Sequence, residues 1–149
     1  MGVKMNWILS TFALFIGFNA FALGPIANGT YTGTETCGSI GSFPTRMIFT
    51  DNSMQWDDQV NAFEFDANSN GFFKVKSVSG MKGSGIGHFT DNGFHYEIIF
   101  DFVGKDGAIH PSPGEDTLTY KQGVVHLESS ASAGAKGKYS CTGDFSITP

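Results

Sequence analysis

Oxygen-bearing side chains alternate in the segment DANSNG, residues 66–71, which ends in a glycine. Asp66, Asn68 and Asn70 occupy positions that bind the ion in the first half of an EF-hand calcium loop. The second half of the loop does not match, because Ser77 stands where a bidentate carboxylate is needed. Asn-Gly is also a strong hairpin signal, and strand-like residues flank the segment on both sides. We therefore predict a turn here, with a calcium site as the alternative.

The other residues that could carry chemistry form no recognisable reaction centre. The four histidines are too far apart in sequence for the i, i+2 or i, i+4 spacing of a metal site. They are His88, His95, His110 and His126. The chain has no G-x-S-x-G nucleophile motif. Asp57 and Asp58 would face opposite sides of a strand, which prevents them from acting as an acid–base pair. We predict a non-catalytic protein with no cofactor and no metal site.

A glycine-rich segment, SGMKGSGIGH, spans residues 79–88. It has neither the G-x-G-x-x-G spacing nor the G-K-[ST] ending of phosphate-binding loops, and no helical pattern follows it. In a strand, Gly83, Gly85 and Gly87 would share one face, where missing side chains permit a sharp bend or leave interior space. Interior space is what a ligand pocket in a barrel requires.

The apolar side chains of the chain alternate with polar ones, as expected for strands with one buried face. Residues 94–102, FHYEIIFDF, place aromatic side chains on one face and charged ones on the other, with Ile99 as the exception. Residues 138–147, KYSCTGDFSI, place Tyr139 and Cys141 on the same face. Shorter runs of this kind are 29–37, 46–50, 61–65, 72–78, 85–89, 116–120 and 124–128.

Turn residues separate these strands at short intervals. About eight to ten short strands in hairpin succession are typical of an antiparallel barrel or sandwich. The one long connection, residues 104–117, contains two prolines and has no period. We predict an all-β fold, an antiparallel up-and-down barrel, with a β-sandwich as the alternative.

The N-terminal residues have the features of a secretory signal peptide. Lys4 is the only charged residue among the first 34. The apolar run that follows is shorter than the ~20 residues that a membrane-spanning helix needs. Ala20 and Ala22 occupy the small-residue positions that a signal peptidase reads. We predict a signal peptide over residues 1–22, one barrel domain over 23–149, and a periplasmic or secreted protein without a membrane span.

Cys37 and Cys141 are the two cysteines, one on the first predicted strand and one on the last. An even number of cysteines in an exported chain indicates a disulfide. A bond between these strands requires them to be neighbours, as they are when an up-and-down barrel closes. Glu35 would share the inward face of Cys37, and a carboxylate inside a barrel needs a partner or a ligand.

The chain resembles the calycin group, which includes the lipocalins and related small ligand-binding barrels. The resemblance lies in the length of the exported chain, the disulfide between the barrel ends, and Tyr31 in an early GTY, where lipocalins have G-x-W. It implies a barrel that binds a small, partly apolar molecule in its interior. The side chains that we expect to line this interior are Tyr31, Glu35, Phe65, Phe89, Tyr96, Phe100 and Tyr139.

A protein-binding module is the alternative function. The segment SASAGAKGKY, residues 130–139, is similar to the S-A-S-G-A-x-Y segment of C-type lysozyme inhibitors, which are small exported barrels with a disulfide. That resemblance implies an exposed inhibitory loop with Ser132 and Lys136, and a periplasmic hydrolase as the partner.

The charge of the chain limits its partners. The net charge is −5 at pH 7, and the charged residues are scattered without a basic patch. Nucleic acid and anionic membrane surfaces are therefore poor partners. The remaining partner classes are a small apolar molecule and a periplasmic or extracellular protein.

Overall fold

The structure, a computed structural model, describes residues 24–66, 68–132 and 137–149. These residues form strands and no helix, which confirms the predicted all-β class. The strands are β1 (Gly29–Cys37), β2 (Gly41–Thr50), β3 (Ser53–Trp56), β4 (Gln59–Phe65), β5 (Phe72–Ser79), β6 (Gly83–Thr90), β7 (Gly93–Val103), β8 (Ile109–Lys121), β9 (Val124–Ser132) and β10 (Lys138–Ile147). A helix long and apolar enough to cross a bilayer is thus absent from the described segments. The predicted signal peptide lies outside them.

The ten strands form one closed antiparallel barrel. Each strand pairs with the next along the chain, and β1 pairs with β10 to close the circle. This up-and-down order confirms the predicted barrel and excludes the sandwich alternative. The architecture is compatible with that of the calycin group.

The predicted disulfide joins the first and last strands. Cys37 ends β1, and Cys141 lies on the neighbouring β10, one pair beyond the Thr36–Thr142 pair of the ladder. Their sulfur atoms are bonded, and the two Cα atoms are 4.0 Å apart. The bond therefore fastens the seam at which the barrel closes.

The barrel half at the start of β1, the closed half, is filled by apolar side chains. The ring centroid of Phe63 lies 5.3 Å from that of Phe73 and 5.6 Å from that of Phe94, both in edge-to-face contact. Ile26, which precedes β1, is 0% exposed and packs against the same cluster. Other members are Tyr31, Met47, Phe49, Met54, Val75, Leu118, Val125, Leu127 and Phe145. Each such side chain contributes roughly 1.5–3 kcal/mol through burial, so this half supplies much of the folding free energy.

The inward-facing glycines of β6 permit close packing rather than leaving interior space. The ring of Phe73 occupies the position that a side chain at Gly87 would need. The backbone of Glu97 in β7 blocks the corresponding position at Gly85. The sequence predicted a sharp bend or an open interior at these glycines, whereas the structure has close packing against Phe73 and the backbone of β7.

Residues 104–117 differ from the prediction, because most of this segment is strand. β8 begins at Ile109, and β9 pairs with it only from Gly114 onwards. Within the described residues, the ladder between β8 and β9 therefore does not include Pro111 and Pro113. Proline is tolerated at such positions because no ladder bond needs its missing N–H. The four-residue strand β3 was not predicted either, since its residues SMQW are too few to show a period.

Candidate functional site

All five polar residues that are buried within the described segments face the barrel interior. Each shares the inward face of its strand with core residues and lies on the disulfide side of the closed half. They are Glu35 on β1, Thr45 on β2, Asn61 on β4, Ser77 on β5 and Asp116 on β8, each at most 7% exposed. We call these five residues the polar belt. It separates the apolar half of the interior from the end that carries the disulfide.

Glu35 lies beside the disulfide. Thr45 Oγ1 donates a hydrogen bond to Glu35 Oε2 at 3.3 Å, and Glu35 Oε1 lies 3.3 Å from Cys37 Sγ. Burial raises the pKa of the carboxyl group above its ordinary 4.5, against the opposing effect of hydrogen bonds from Thr45 and Trp56. The negative charges of two nearby aspartates raise it further. Glu35 therefore keeps its proton to a higher pH than an exposed glutamate does.

Asp116 is the second carboxyl group of the polar belt. Burial raises its pKa above the ordinary 3.8, against the opposing effect of the hydroxyl groups of Ser129 and Tyr96. Burial and the adjacent Asp116 also raise the pKa of Tyr96 well above 10.0. The phenol of Tyr96 thus stays protonated and available as a donor, while its oxygen accepts a 3.2 Å hydrogen bond from Asn61 Nδ2.

Side-chain hydrogen bonds hold the β4 and β5 part of the polar belt in place. Gln59 Nε2 donates to Asn61 Oδ1 at 3.1 Å and to Ser77 Oγ at 2.5 Å. The backbone N–H of Met81, in the turn between β5 and β6, donates to Gln59 Oε1 at 2.8 Å. Such a satisfied network keeps polar groups of the interior in fixed positions.

Beyond the polar belt, inward-facing aromatic side chains are open to solvent. Phe43 is 44% exposed, Phe102 52% and Tyr139 38%, although each shares a strand face with fully buried residues. We call these three residues the rim. Phe43 pairs directly with Glu35 in the ladder between β1 and β2. The rim and the polar belt thus place exposed aromatic side chains and buried polar side chains at the same end of the barrel interior.

The residues predicted to line the interior are divided between the two ends of the barrel. Tyr31 is fully buried in the closed half, where Phe65 and Phe89 also stack with their ring centroids 5.5 Å apart. Tyr96 lies at the boundary, with its ring among the phenylalanines and its hydroxyl group in the polar belt. The disulfide end holds Glu35, Phe100 and Tyr139.

Tyr139 lies further from the barrel centre than the other residues predicted to line the interior. Its strand face is the inward one, as predicted, but it is the second residue of β10 and lies at the barrel mouth. Its exposure of 38% follows from that position. Tyr139 edges the interior and does not line an enclosed part of it. For the inhibitor alternative, Ser132 ends β9, while Lys136 lies outside the described residues.

Sequence reasoning missed most of the polar belt. Asp116 begins the run DTLTY, in which Leu118 and Tyr120 alternate with it on one face. That alternation was a usable signal, and it places the carboxyl group inside the barrel. Asn61 and Ser77 are polar residues on the buried face of their strands. A pattern search that assigns every polar residue to the exposed face does not find them.

The segment DANSNG joins β4 to β5 as a turn, as predicted. Asp66 Oδ1 accepts a 2.9 Å hydrogen bond from the backbone N–H of Asn68, and Asp66 O accepts one of 3.0 Å from that of Ser69. Asn70 has a φ of 53° and Gly71 a φ of 89°, the left-handed conformations that Asn-Gly tolerates. The carboxylate of Asp66 thus has a role in the turn itself.

Three donor side chains meet on the outer surface of the barrel. Atoms of His95, Glu97 and Glu115 lie within 4.8 Å of one another, a combination that a search for histidine pairs alone does not reveal. Ser130 Oγ donates to Glu115 Oε1 at 2.8 Å, and Lys138 Nζ lies 3.7 Å from the same oxygen. The positive charge of the Lys138 ammonium group would repel a metal ion here, so we assign no metal site to these three side chains.

Two grooves on the outer surface also lack the features of a binding site. One of about 580 Å³ runs over β6 to β10 beside Ile86 and Ile99, and one of about 480 Å³ runs over β4 to β6 beside Phe72. Neither wall contains a buried polar side chain that could orient a ligand. The interior end with the polar belt is therefore the better candidate.

No protein-family model matches the chain, and neither a curated protein nor a solved structure is significantly similar to it.

Proposed function

We propose that this chain is an exported, non-catalytic barrel that binds a small, partly apolar molecule at the disulfide end of its interior. The observation that carries the proposal is the exposure of the inward-facing rim above a buried polar belt. Apolar walls with a few fixed polar groups are the usual composition of a small-molecule site. The disulfide supports the export part of the proposal, because such bonds persist in oxidising compartments.

The packing of the closed half restricts where the ligand would lie. Tyr31, Phe63 and Phe94 are in ring-to-ring contact with their neighbours and at most 4% exposed. A ligand there would have to displace packed rings, at a cost similar to that of over-packing a core. At the disulfide end a ligand would instead cover rings that are already in contact with water, which is favourable.

Native mass spectrometry of protein purified from its source tests the proposal. A co-purifying small molecule is the expected result, and Phe43→Ala should reduce its occupancy at least tenfold. Phe72→Ala is the matched control, because Phe72 is similarly exposed, at 53%, but lies on the outer face. Equal loss in both variants, or no bound mass in the wild type and no binding in a screen of small apolar molecules, would contradict the proposal.

A protein-binding function is the second candidate, and one feature favours it. Within the described residues, the ladder between β7 and β8 continues past the ladders to β6 and β9 as a two-stranded ribbon, residues 101–113. Its apolar side chains Phe102, Val103 and Ile109 are 52–65% exposed, as is common at protein interfaces. If the partner is a hydrolase, Val103→Asp should abolish inhibition of a lysozyme-type enzyme, whereas Phe43→Ala should not. Absence of inhibition by the wild type would eliminate this candidate.

A further inference from the structure

We propose that a second copy of this chain is the partner of the outer surface of β5, β6 and β7, and that the two copies pair there about a twofold axis as a weak dimer. We call this surface the β5–β7 face and define it by the three cross-strand rows of side chains described below. The inference does not depend on a ligand in the interior. It follows from the exposed apolar side chains of this face and from the order of its charges.

The first step concerns apolar side chains that point away from the barrel. On three adjacent strands, Phe72 is 53% exposed, Ile86 63% and Ile99 55%. Ile86 belongs to the walls of both outer grooves, so it stands as a ridge between them. These grooves lack the buried polar groups that orient a small molecule, whereas neighbouring exposed apolar side chains are common where a protein contacts another protein.

The second step concerns the order of charges across the face. Lys74 of β5 is directly opposite Ile86 of β6, and Ile86 is directly opposite Glu97 of β7. Directly paired residues in antiparallel strands point to the same side of the sheet, so the three side chains form one row. Lys74 and Glu97 are both exposed. The row thus has an apolar residue at its centre, a cation on one side and an anion on the other.

The third step concerns symmetry. In a twofold interface the same surface patch meets itself, so the patch must be complementary to its own rotated copy. An axis that runs along β6 through Ile86 places Lys74 of one copy opposite Glu97 of the other. The reverse pair forms at the same time, and Ile86 meets its own counterpart at the axis. The charge complementarity that identifies the partner is therefore contained in this chain.

The two neighbouring rows fit the same axis. They are Phe72–His88–His95 and Lys76–Ser84–Ile99. In the first row the axis sets Phe72 of one copy against His95 of the other, and these two rings can stack. In the second row it sets Lys76 against Ile99, and the apolar stem of a lysine can cover an exposed isoleucine.

The curvature of the barrel limits the strength of this contact. Ten strands close the circle, so the surface turns away on both sides of β6. The long side chains of Lys74 and Glu97 can bridge the gap one strand from the axis, whereas Glu64 and Glu115, one strand further out, face away from the second copy. The three rows supply nine residues a side, fewer than the roughly 20–30 of a standard interface. Dilute protein is therefore monomeric, and Phe72→Ala remains a suitable control for ligand binding in dilute solution.

Sedimentation equilibrium from micromolar to millimolar concentration tests the association. The average mass should rise towards that of a dimer and no further, and high salt should weaken the association because exposed charges are screened. Ile86→Asp should abolish it. Val103→Asp is the matched control, because Val103 is also 63% exposed but lies in the ribbon, outside the three rows. This control should associate as the wild type does.

Charge-reversal variants test the twofold axis. Lys74→Glu alone, or Glu97→Lys alone, places like charges opposite each other in both pairs and should weaken the association at least tenfold. An equimolar mixture of the two single variants should associate as the wild type does, because both pairs across the mixed dimer again join opposite charges. A general loss of folding would not be rescued by mixing, and circular dichroism establishes that each variant is folded.

Three results would overturn the proposal. A wild type that stays monomeric at millimolar concentration would mean that this face serves a different protein or none. Assemblies larger than a dimer would indicate a head-to-tail contact between unlike surfaces. Association that survives Ile86→Asp, or that the mixture of the two charge-reversal variants does not restore, would exclude the pairing of Lys74 with Glu97 about β6.

Discussion

The two ends of the barrel interior use the same strands and the same alternation, yet they bury their side chains to different degrees. In the closed half, Phe49 and Phe94 are at most 1% exposed. At the disulfide end, Phe43 and Phe102 occupy equivalent inward positions on the same two strands and are 44% and 52% exposed. An inward position on a strand therefore does not by itself make a core residue. The position along the barrel axis decides whether the side chain packs or faces a solvent-filled mouth.

The closed half and the polar belt contribute differently to stability, a difference that we call the division between the two ends. The closed half stabilises the fold through apolar burial, which is favourable for each ring. The two carboxyl groups of the polar belt oppose folding when they are ionised, because burial of a charge costs free energy that neutral donors only partly offset. A barrel can tolerate such a belt where the closed half and the disulfide hold the strands together. The following predictions test this division, beginning with the largest expected effect.

Removal of the disulfide should have the largest effect. The bond closes a loop with a sequence separation of 104 residues, so its loss should lower the free energy of unfolding by up to about 4–5 kcal/mol in the chain-entropy model. Urea unfolding of the double variant Cys37→Ala with Cys141→Ala measures this. Strand content by circular dichroism should persist, and hydrogen exchange should accelerate at the ends of β1 and β10 near the bond. An unchanged midpoint, or exchange that accelerates mainly in the closed half, would contradict the division.

Truncation of one phenylalanine at each end compares the two halves directly. Phe94→Ala should lower the free energy of unfolding by about 3–5 kcal/mol, because its ring contacts those of Phe49, Phe63 and Phe73. Phe43→Ala should lower it by less than about 1 kcal/mol, because its ring is already partly in water. Urea unfolding of both variants under one condition gives the difference. Similar losses would mean that Phe43 packs as a core residue.

The free energy of unfolding should depend on pH through the two carboxyl groups of the polar belt. The folded state holds the protons of Glu35 and Asp116 more tightly than the unfolded state, whose values are near 4.5 and 3.8. These groups therefore stabilise the fold fully below those values, and the contribution is lost as pH rises through the raised folded pKa values. The titratable groups that act on them are Asp57, Tyr96, His95 and Glu115.

The double variant Glu35→Gln with Asp116→Asn measures this contribution. Its stability relative to wild type should increase as pH rises from about 4 towards 7, because the amides cannot ionise. Urea midpoints across that range give the result, with Glu97→Gln as the control on the outer face. The hydrogen bond from Ser130 lowers the pKa of Glu115, so its contribution to stability increases with pH. This contribution cancels in the comparison, because Glu115 is present in every variant. A constant difference between wild type and double variant would contradict the raised pKa values.

The fold could be predicted from the sequence because its signals are local. Alternation in residues such as Phe94, Tyr96 and Ile98 gives the strands, and Asn-Gly or Asp-Asn segments give the turns. The positions of Cys37 and Cys141 on the first and last strands then indicate closure. Pro111 and Pro113 misled the prediction, since their tolerance depends on where the described ladder between β8 and β9 begins, which only the register reveals.

The candidate site was less predictable, since it depends on relations between strands. Glu35 could be placed inside because Cys37 shares its face. The grouping of Glu35 with Asp116 depends on the height of each residue within the barrel, which is set by the stagger of ten strands. Tyr139 shows the same limit, because its face could be predicted but its place at the mouth could not.

The smallest effect is expected at the turn between β4 and β5, at the closed end of the barrel. Calcium and then a chelator should leave the melting temperature unchanged, although Asp66, Asn68 and Asn70 have the spacing of a calcium loop. The physical reason is that Asp66 already accepts backbone hydrogen bonds within the turn, and that Ser77, at the twelfth position, is a buried member of the polar belt.

Asp66→Asn distinguishes the two interpretations of this turn. The amide oxygen of asparagine can accept the same bond from the N–H of Asn68, so a turn should change in stability by less than about 0.5 kcal/mol. A calcium site would instead lose its only formal negative charge and with it most of its affinity. Thermal unfolding of both proteins with and without calcium separates these results. A calcium-dependent rise in the melting temperature of the wild type that disappears in the variant would show that this end of the barrel binds an ion, and that the contrast between a purely structural end and a binding end is wrong.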